Sequence, residues 1–216
     1  MKIDILTIFP EMFEGPFEHS IIERAQEAGM VEIEIHDLRN WAKGKHKKVD
    51  DTPYGGGGGM VMMVEPIHKA IEELKQEGSI VVATTAKGQT LKQSTVKGFS
   101  SYEHIILICG HYEGFDQRIL DELVDYPISI GNYILTGGEI PAMVIVDSVV
   151  RLLPGAVGNE ETPKTDSFYN DDQTKQHPIY SKPAEYDLDG KSLKVPEVLL
   201  SGDHERIIKW KDSSNS

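Results

Sequence analysis

Residues 108–114 read ICGHYEG, and residues 129–139, one segment further on, read SIGNYILTGGE. The apolar run at 105–109 is rich in β-branched residues and stops at a glycine, which predicts a buried strand that ends in a turn. In open α/β sheets, ligands bind outside the carboxyl ends of the strands, where glycine lets the backbone approach a ligand closely. The two stretches therefore predict a binding edge, although glycines of this kind also serve simply as turn residues.

The rest of the chain has the alternating strands and helices of an α/β sheet. Residues 2–9 and 31–36 have the apolar spacing of strands, and the helical pattern at 17–28 between them is closed by Gly29. A strand, a helix and a second strand in succession indicate a βαβ unit and a parallel sheet. Further strands are predicted at 79–85, 105–109 and 127–130, and further helices from 65 up to Gly78 and at 90–98, 116–124 and 141–153.

Length and composition fit a globular protein with one sizeable domain and an appendage, or with two small domains. The 216 residues are 39% hydrophobic, and the apolar runs are shorter than the roughly 20 residues that a transmembrane helix needs. The N-terminus lacks the apolar core of a signal peptide, so a cytoplasmic protein is expected. The single cysteine, Cys109, excludes an internal disulfide, argues against a structural zinc site and is predicted to be a buried apolar residue.

The net charge of −13 is unfavourable for a nucleic-acid partner, because lysine and arginine supply most of the affinity for phosphate. The charge is unevenly distributed: residues 174–216 hold 7 basic and 7 acidic residues, so the acidic excess lies in 1–173. Within that acidic part, four lysines between Lys43 and Lys48 surround His46. This cluster is either a solvated loop or the best local candidate for a phosphate contact.

Residues 55–59 are five consecutive glycines, which predict a loop because neither a helix nor a strand tolerates such a run well. The run lacks the Gly-Lys-Ser/Thr ending of a phosphate-binding P-loop, so it is a poor candidate for ATP binding and equally fits a flexible tether.

The polar residues 158–173 predict a linker. Arg151, in the last turn of the helix before it, is placed to interact favourably with the helix dipole.

Motifs along most of the chain are similar to those of one enzyme class. Besides the two glycine-rich stretches they are, in the order of that class, FPEMF at 9–13, VDDTPYGGG at 49–57, PAM at 141–143, DSF at 166–168 and VPEVLLSG at 195–202. From residue 1 to about Trp210, the chain closely resembles the bacterial tRNA (guanine-N(1))-methyltransferases of the knotted SPOUT class.

The resemblance implies an α/β fold in which a mostly parallel sheet is flanked by helices and contains a deep trefoil knot, followed by a small helical C-terminal domain. It divides the chain into an S-adenosylmethionine-binding domain at 1–158, a linker at 159–173 and a tRNA-binding domain at 174–216. Relatives continue past Trp210 with basic helical sequence, so this last domain is expected to be incomplete. A homodimer is also implied, in which the linker of one subunit reaches the site of the other.

Members of this class transfer a methyl group from S-adenosyl-L-methionine to ring nitrogen 1 of the guanine that directly follows the anticodon of tRNA. Because that nitrogen bears a proton, a carboxylate must remove it while a positive group holds the charge that develops on the neighbouring carbonyl oxygen. The motif match assigns Asp166 as the general base and Arg151 as the stabilising cation. Glu113 is a rival base, which could instead orient Arg151 or bind Mg²⁺, a further candidate cofactor.

The resemblance also places the methyl donor on the glycine-rich turns. The predicted cofactor-binding residues are Gly110, Ile130, Gly131, Asn132, Tyr133, Ile134, Leu135, Gly137 and Gly138. Two positions depart from the usual pattern of the class. Asn132 stands where relatives usually have aspartate, and Ala86-Lys87-Gly88 stands where they usually have a Pro-Gln-Gly type of turn.

Two other functions remain open from the sequence. An RNA-binding protein that keeps this fold with weak or no turnover would account for Asn132 and for the short C-terminus. A nucleotide-binding protein would use the glycine run at 55–59. Calorimetry with S-adenosylmethionine and with ATP separates these functions.

Overall fold

The protein is described here by a computed structural model, which covers residues 1–159 and 162–214. The chain divides into two compact units, Met1–Glu160 and Glu161–Ser216. Positions 160 and 161 of the predicted linker and positions 215 and 216 of the predicted last domain lie outside the described residues. The predicted boundaries of the linker therefore stay a prediction.

The first unit is built on a five-stranded sheet whose strands all run parallel. Its elements in chain order are β1 Lys2–Thr7, α1 Ser20–Glu27, β2 Glu32–Asp37, β3 Asp50–Asp51, β4 Val61–Met62, α2 Val64–Leu74, β5 Ile80–Thr90, α3 Gln93–Phe99, β6 His104–Cys109, α4 Gln117–Glu122, β7 Tyr126–Ser129 and α5 Glu139–Val150. The order of strands across the main sheet is β2-β1-β6-β5-β7, and β3 and β4 form a separate antiparallel pair. The prediction of an α/β fold with a parallel sheet is confirmed.

Both faces of the main sheet are buried, as is usual for parallel sheets covered by helices. Alternate residues of β1 show this, because Ile3 and Ile5 belong to one hydrophobic cluster and Leu6 to the other. The first cluster is completed by apolar side chains of α1, α3 and α5, and the second by those of α2 and α4. Cys109 is buried in the first cluster, as the sequence predicted.

Two elements differ from the expectation in ways that shape the binding edge. β5 was expected to end at Thr85, but it continues to Thr90 because Thr84 and Gln89 both pair with Ile128 of β7. The residues between these two pairs form a bulge that leaves the sheet. α5 was expected to begin at Pro141, but it begins two residues earlier, since proline is tolerated throughout the first turn of a helix.

The second unit contains strands as well as helices. After a short 3-10 turn at Pro163–Thr165 come β8 Glu185–Leu188, β9 Lys191–Lys194, α6 Glu197–Leu200 and α7 His204–Ser213. β8 and β9 pair antiparallel, and both turn residues between them, Asp189 and Gly190, have positive φ angles. The prediction of a helical domain missed this hairpin, although Asp-Gly between two short strands is a strong hairpin signal.

No helix within the two described ranges has both the length and the apolar character that crossing a membrane requires.

Candidate active site

A cavity of about 320 Å³ opens at the carboxyl ends of β5, β6 and β7. The sequence placed a binding edge at this position, because Gly110 directly follows β6 and Gly131 follows β7. The lining residues come from the bulge of β5, from the turn after β6 and from the segment between β7 and α5. They are 84–87, 110–115, 128–131, 133–138 and Pro141.

Glycines at this edge allow backbone segments to touch each other. The Gly138 N–H donates a 2.7 Å hydrogen bond to the Gly110 carbonyl oxygen. A Cβ on Gly138 would stand 2.0 Å from Thr84 Oγ1, and one on Gly110 would stand 2.5 Å from the Thr84 carbonyl oxygen. Real Cβ atoms do not come this close to other atoms, so the wall of the cavity can be built only without side chains at these positions.

The predicted cofactor-binding residues gather at this cavity. All of them except Asn132 are among its lining residues. The bulge of β5 adds Lys87, which is the one lysine or arginine among the described residues that line the cavity. Gly88 next to it packs on the backbone of β7, since a Cβ there would lie 2.5 Å from the Ile128 nitrogen. The departure at Ala86-Lys87-Gly88 therefore brings a positive charge to the edge of the cavity.

Glu113 also lines the cavity, and the end of the glycine run contacts this side chain. Its N–H donates a 2.9 Å hydrogen bond to the Met60 carbonyl oxygen. A Cβ on Gly59 would stand 2.6 Å from Glu113 Cγ and 2.6 Å from its Oε1. Gly59 also has a φ of +86°, which side chains rarely adopt. The loop at 55–59 thus ends in contact with the one carboxylate among the described lining residues.

The comparison with known proteins agrees with the motifs. The model of the tRNA (Guanine-1)-methyltransferase TrmD family matches residues 1–216. The chain belongs to this family.

Its relatives in the family are similar over almost the whole chain. A tRNA (guanine-N(1)-)-methyltransferase from Dictyoglomus turgidum is 49% identical over 98% of this chain and 83% of its own length. One from Desulforamulus reducens is 47% identical over 98% of this chain and 82% of its own. One from Mycoplasma capricolum is 49% identical over 98% of this chain and 85% of its own. The predicted membership of this methyltransferase class is confirmed.

Arg151, one of the two other residues that the family motifs single out, does not line the cavity of the first unit, and Asp166 belongs to the second unit. Arg151 directly follows α5, whose opposite end lies at the cavity through Gly138 and Pro141. The helix has 12 residues, so its two ends are about 18 Å apart at 1.5 Å per residue. Asp166 ends the 3-10 turn of the second unit, where its N–H donates a 3.3 Å hydrogen bond to the Pro163 carbonyl oxygen.

Two polar side chains at the cavity were not assigned a role from the sequence. Glu139, at the start of α5, is fully buried, and its Oε1 accepts a 2.9 Å hydrogen bond from the Thr7 hydroxyl. Its Oε2 lies 3.9 Å from Nδ1 of His111, and neither of these two buried atoms has a hydrogen-bond partner. Burial raises the pKa of the nearby Cys109 thiol well above its usual value, and the Glu139 charge adds to this rise. A sequence signal could have drawn attention to Glu139. This carboxylate directly follows two glycines and stands at the start of an otherwise apolar helix.

A second buried cluster lies at the amino ends of β1 and β6, away from the cavity. Asp4 accepts hydrogen bonds from His36 at 2.6 Å and from His104 at 2.7 Å. Burial alone would raise the pKa of Asp4, but these two bonds and the charge of Lys2 outweigh it, so that its pKa is lowered. Glu34 joins Asp4 and His36 in a group whose oxygen and nitrogen atoms are close enough to hold a metal ion. The Lys2 ammonium already supplies a cation there, 2.9 Å from Glu34 and 3.4 Å from Asp4.

Proposed function

We infer that the chain is a tRNA (guanine-N(1))-methyltransferase, which transfers a methyl group from S-adenosyl-L-methionine to the guanine directly 3′ of the anticodon. The observation that carries this inference is the family match over residues 1–216, together with relatives of that description that are 47–49% identical. The glycine-lined cavity at the carboxyl edge of the sheet supports it independently. An enzyme working on tRNA is further proposed to act in the cytoplasm.

The cavity is suited to the methyl donor. Gly110, Gly137 and Gly138 lie where a Cβ would meet neighbouring atoms, so these turns can pack closely and form a cavity wall made largely of backbone. Apolar side chains of Tyr133, Ile134 and Leu135 line the same space and suit a flat base. S-adenosylmethionine supplies an activated methyl group when bound, so that the protein has to align the two reactants and activate the guanine.

The chain's own residues then perform the proton chemistry. Asp166 removes the proton from guanine N1, which makes that nitrogen nucleophilic. Arg151 holds the negative charge that develops on the neighbouring carbonyl oxygen of the base, and its planar guanidinium can form two hydrogen bonds at once. Both roles come from the family motifs, and they require the two side chains to reach the same guanine.

The placement of α5 supports a site shared between two copies of the chain. Because Arg151 lies about 18 Å along the helix from the cavity, a second copy is the simplest source of the arginine for each cavity. α5 also exposes Ile140 (47%) and Val144 (41%), which lie one turn apart on the face away from the sheet. The 3-10 turn at Pro10–Phe13 packs beside α5 and exposes Met12 as well. We propose that this apolar face forms the homodimer.

Glu113 has a secondary role in this proposal. It lies in the cavity wall and is the reserve candidate for the general base or for orienting Arg151. Mg²⁺ prefers several oxygen ligands, and Glu113 is the one carboxylate among the described lining residues. The residues present therefore do not form a dedicated Mg²⁺ site, and no step of the mechanism depends on one.

Two further features of the class enter the proposal. The trefoil knot is proposed from membership of the family. In the lysine cluster at 43–48, Lys45 and Lys47 are proposed to contact tRNA phosphates. Its other two lysines, Lys43 and Lys48, form ion pairs with Glu65 and Asp51.

Methylation of a defined transcript tests the proposal. A tRNA transcript with guanine 3′ of the anticodon should gain one methyl group on N1 from S-adenosylmethionine, as measured by mass spectrometry of its nucleosides. A transcript with adenine at that position is the matched control and should stay unmodified. Binding of both transcripts without methylation would instead favour the RNA-binding alternative, and binding of ATP in calorimetry would favour the nucleotide-binding one.

A further inference from the structure

Glu139 is a fully buried carboxylate for which the proposed mechanism has no use. One of its oxygens accepts a hydrogen bond from Thr7, and the other, Oε2, has no partner. A buried charged oxygen without a hydrogen bond costs free energy, so native proteins rarely leave one without a purpose. A function for Oε2 is therefore to be sought among its neighbours.

The neighbour that Oε2 faces is the imidazole of His111. The distance from Oε2 to Nδ1 is 3.9 Å, and Nδ1 is also buried and unpartnered. A shift of about 1 Å brings the two atoms to hydrogen-bonding distance. Gly137 closes the space beside them, because a Cβ there would stand 2.3 Å from Oε2 and 2.6 Å from Nδ1. The histidine ring also contacts Phe9 and Tyr112, with ring centroids 5.0 Å apart in both cases.

A carboxylate in this position determines which ring nitrogen carries the proton. If Nδ1 were unprotonated, its lone pair would face the negative Oε2, whereas a proton on Nδ1 can be donated to that oxygen. In the neutral ring, Nε2 is then a hydrogen-bond acceptor. The side chain of His111 is 18% exposed and lines the cavity. Since Nδ1 is buried, this exposed part belongs to other atoms of the side chain.

We propose that Glu139 is a positioning residue that holds the proton on His111 Nδ1, so that Nε2 accepts a hydrogen bond from the methyl donor in the cavity. The inference rests on the proposed function. S-adenosylmethionine carries suitable donors in three places, the adenine amino group, the ribose hydroxyls and the ammonium group of its amino-acid part. An acceptor on a side chain would add selectivity to a cavity whose other contacts come largely from backbone.

Glu139→Gln tests the proposal because it should reverse the tautomer. Thr7 Oγ1 accepts a 2.9 Å hydrogen bond from the Phe9 N–H, so its own hydrogen is available to the side chain at 139. The amide oxygen of glutamine should therefore face Thr7, and its NH₂ should face His111. This NH₂ would donate to Nδ1 and shift the ring proton to Nε2, which turns the acceptor in the cavity into a donor.

The tautomers can be read by ¹⁵N NMR of histidine-labelled protein near neutral pH, with the His111 signals assigned by their loss in His111→Asn. We expect the Nδ1–H form in the wild type and the Nε2–H form in Glu139→Gln. Calorimetry should show S-adenosylhomocysteine binding weakened by about tenfold in Glu139→Gln, because two donors would then face each other. Asp4→Asn, which replaces a buried carboxylate at the other end of the sheet, is the matched control and should bind normally.

A second ligand distinguishes the nucleoside donors from the amino-acid donor. 5′-Methylthioadenosine keeps the adenine and the ribose but lacks the amino-acid part, so an equal loss of affinity in Glu139→Gln assigns the contact to the nucleoside, and no loss with this ligand assigns it to the ammonium group. If Glu139→Gln does not fold, the wild-type tautomer still tests the proposal. The pair His111→Gln and His111→Asn tests it as well. Only the longer glutamine side chain can place an amide oxygen near the position of Nε2, so His111→Gln should bind S-adenosylhomocysteine more tightly than His111→Asn.

An Nε2–H tautomer in the wild type would overturn the inference, and so would unchanged S-adenosylhomocysteine affinity in a folded Glu139→Gln. Equal affinities of the two His111 variants would also contradict it. These failures leave the proposed function intact, because wild-type binding is measured in the same experiment. Absence of S-adenosylhomocysteine binding by the wild type would instead overturn the proposed function, and the inference with it.

Discussion

The side chain of Thr84 lies directly against the backbone of Gly138, with 3.3 Å between the threonine hydroxyl and the glycine carbonyl oxygen. The same hydroxyl lies 3.2 Å from the Gly110 nitrogen. Three segments that are distant in sequence thus meet at one point, where β5 enters its bulge, β6 ends and α5 is about to begin. The floor of the cavity depends on this meeting point.

Gly138→Ala should disrupt this arrangement. The new Cβ would stand 2.0 Å from Thr84 Oγ1 and 2.5 Å from the Gly110 nitrogen, and overpacking of this kind costs about 1–3 kcal/mol. We expect a lower free energy of unfolding in urea and weaker S-adenosylhomocysteine binding. Gly98→Ala is the control, because it lies in α3 with no atom within 4 Å of the added Cβ, and it should stabilise by about 0.5–1 kcal/mol. Equal stability of the two variants would show that the contact at Gly138 is not tight.

Asp166→Asn should abolish the general base while keeping the size of the side chain. Methyl transfer in a single turnover should fall by about 10²- to 10⁴-fold, with S-adenosylmethionine affinity unchanged. Raising the pH should partly restore the rate, because the guanine proton then leaves without assistance. Asp189→Asn, in the hairpin turn of the same unit, is a suitable control, since asparagine tolerates the φ of 50° found there. A near-normal rate for Asp166→Asn at neutral pH would move the base to Glu113.

Arg151→Lys should slow methyl transfer even though the positive charge is kept. A lysine ammonium cannot reproduce the planar two-point contact of a guanidinium with the guanine oxygen. In contrast to Asp166→Asn, a higher pH should not restore the rate. Arg118→Lys provides the control, because Arg118 forms an exposed ion pair with Asp116 outside the cavity. Wild-type turnover by Arg151→Lys would remove the oxyanion role from this residue.

Val144→Asp should dissociate the homodimer, because a charge would be buried in the apolar face of α5. Sedimentation velocity should show a monomer that has lost methyl transfer but still binds S-adenosylhomocysteine through its own cavity. Tyr54→Asp adds the same charge to a fully exposed loop residue and should leave the oligomeric state unchanged. A Val144→Asp variant that stays dimeric would place the interface elsewhere.

Acid should act on the protein through Asp4. Its pKa in the folded protein is lowered below the ordinary value of 3.8, because the hydrogen bonds from His36 and His104 outweigh the effect of burial. A lowered folded pKa stabilises the protein above the ordinary value, and this stabilisation is lost as the pH falls through the folded pKa. The wild type should therefore exceed Asp4→Asn in free energy of unfolding near neutral pH, and the difference should shrink below pH 3.8. A difference that does not change with pH would show that Asp4 contributes by packing alone.

The sequence was sufficient to predict the strands of the main sheet and the glycine-rich turns that follow them. Strands such as β6 are continuous apolar runs because both of their faces are buried, and such runs are visible in the chain itself. Gly110, Gly131, Gly137 and Gly138, which the family resemblance singled out, line the cavity that the structure shows. The family motifs added roles for Asp166 and Arg151, which their local surroundings alone do not indicate.

Tertiary structure decided how these elements are combined. Lys2 of β1 pairs with His104 of β6 in the sheet, although the two are about a hundred residues apart, and no local pattern announces such a partner. Asp4 and Glu139 look like ordinary charged residues in sequence, yet both are buried, because Asp4 bridges two histidines and Glu139 meets Thr7. Local patterns reflect the propensities of neighbouring residues, whereas these contacts depend on the packing of distant segments.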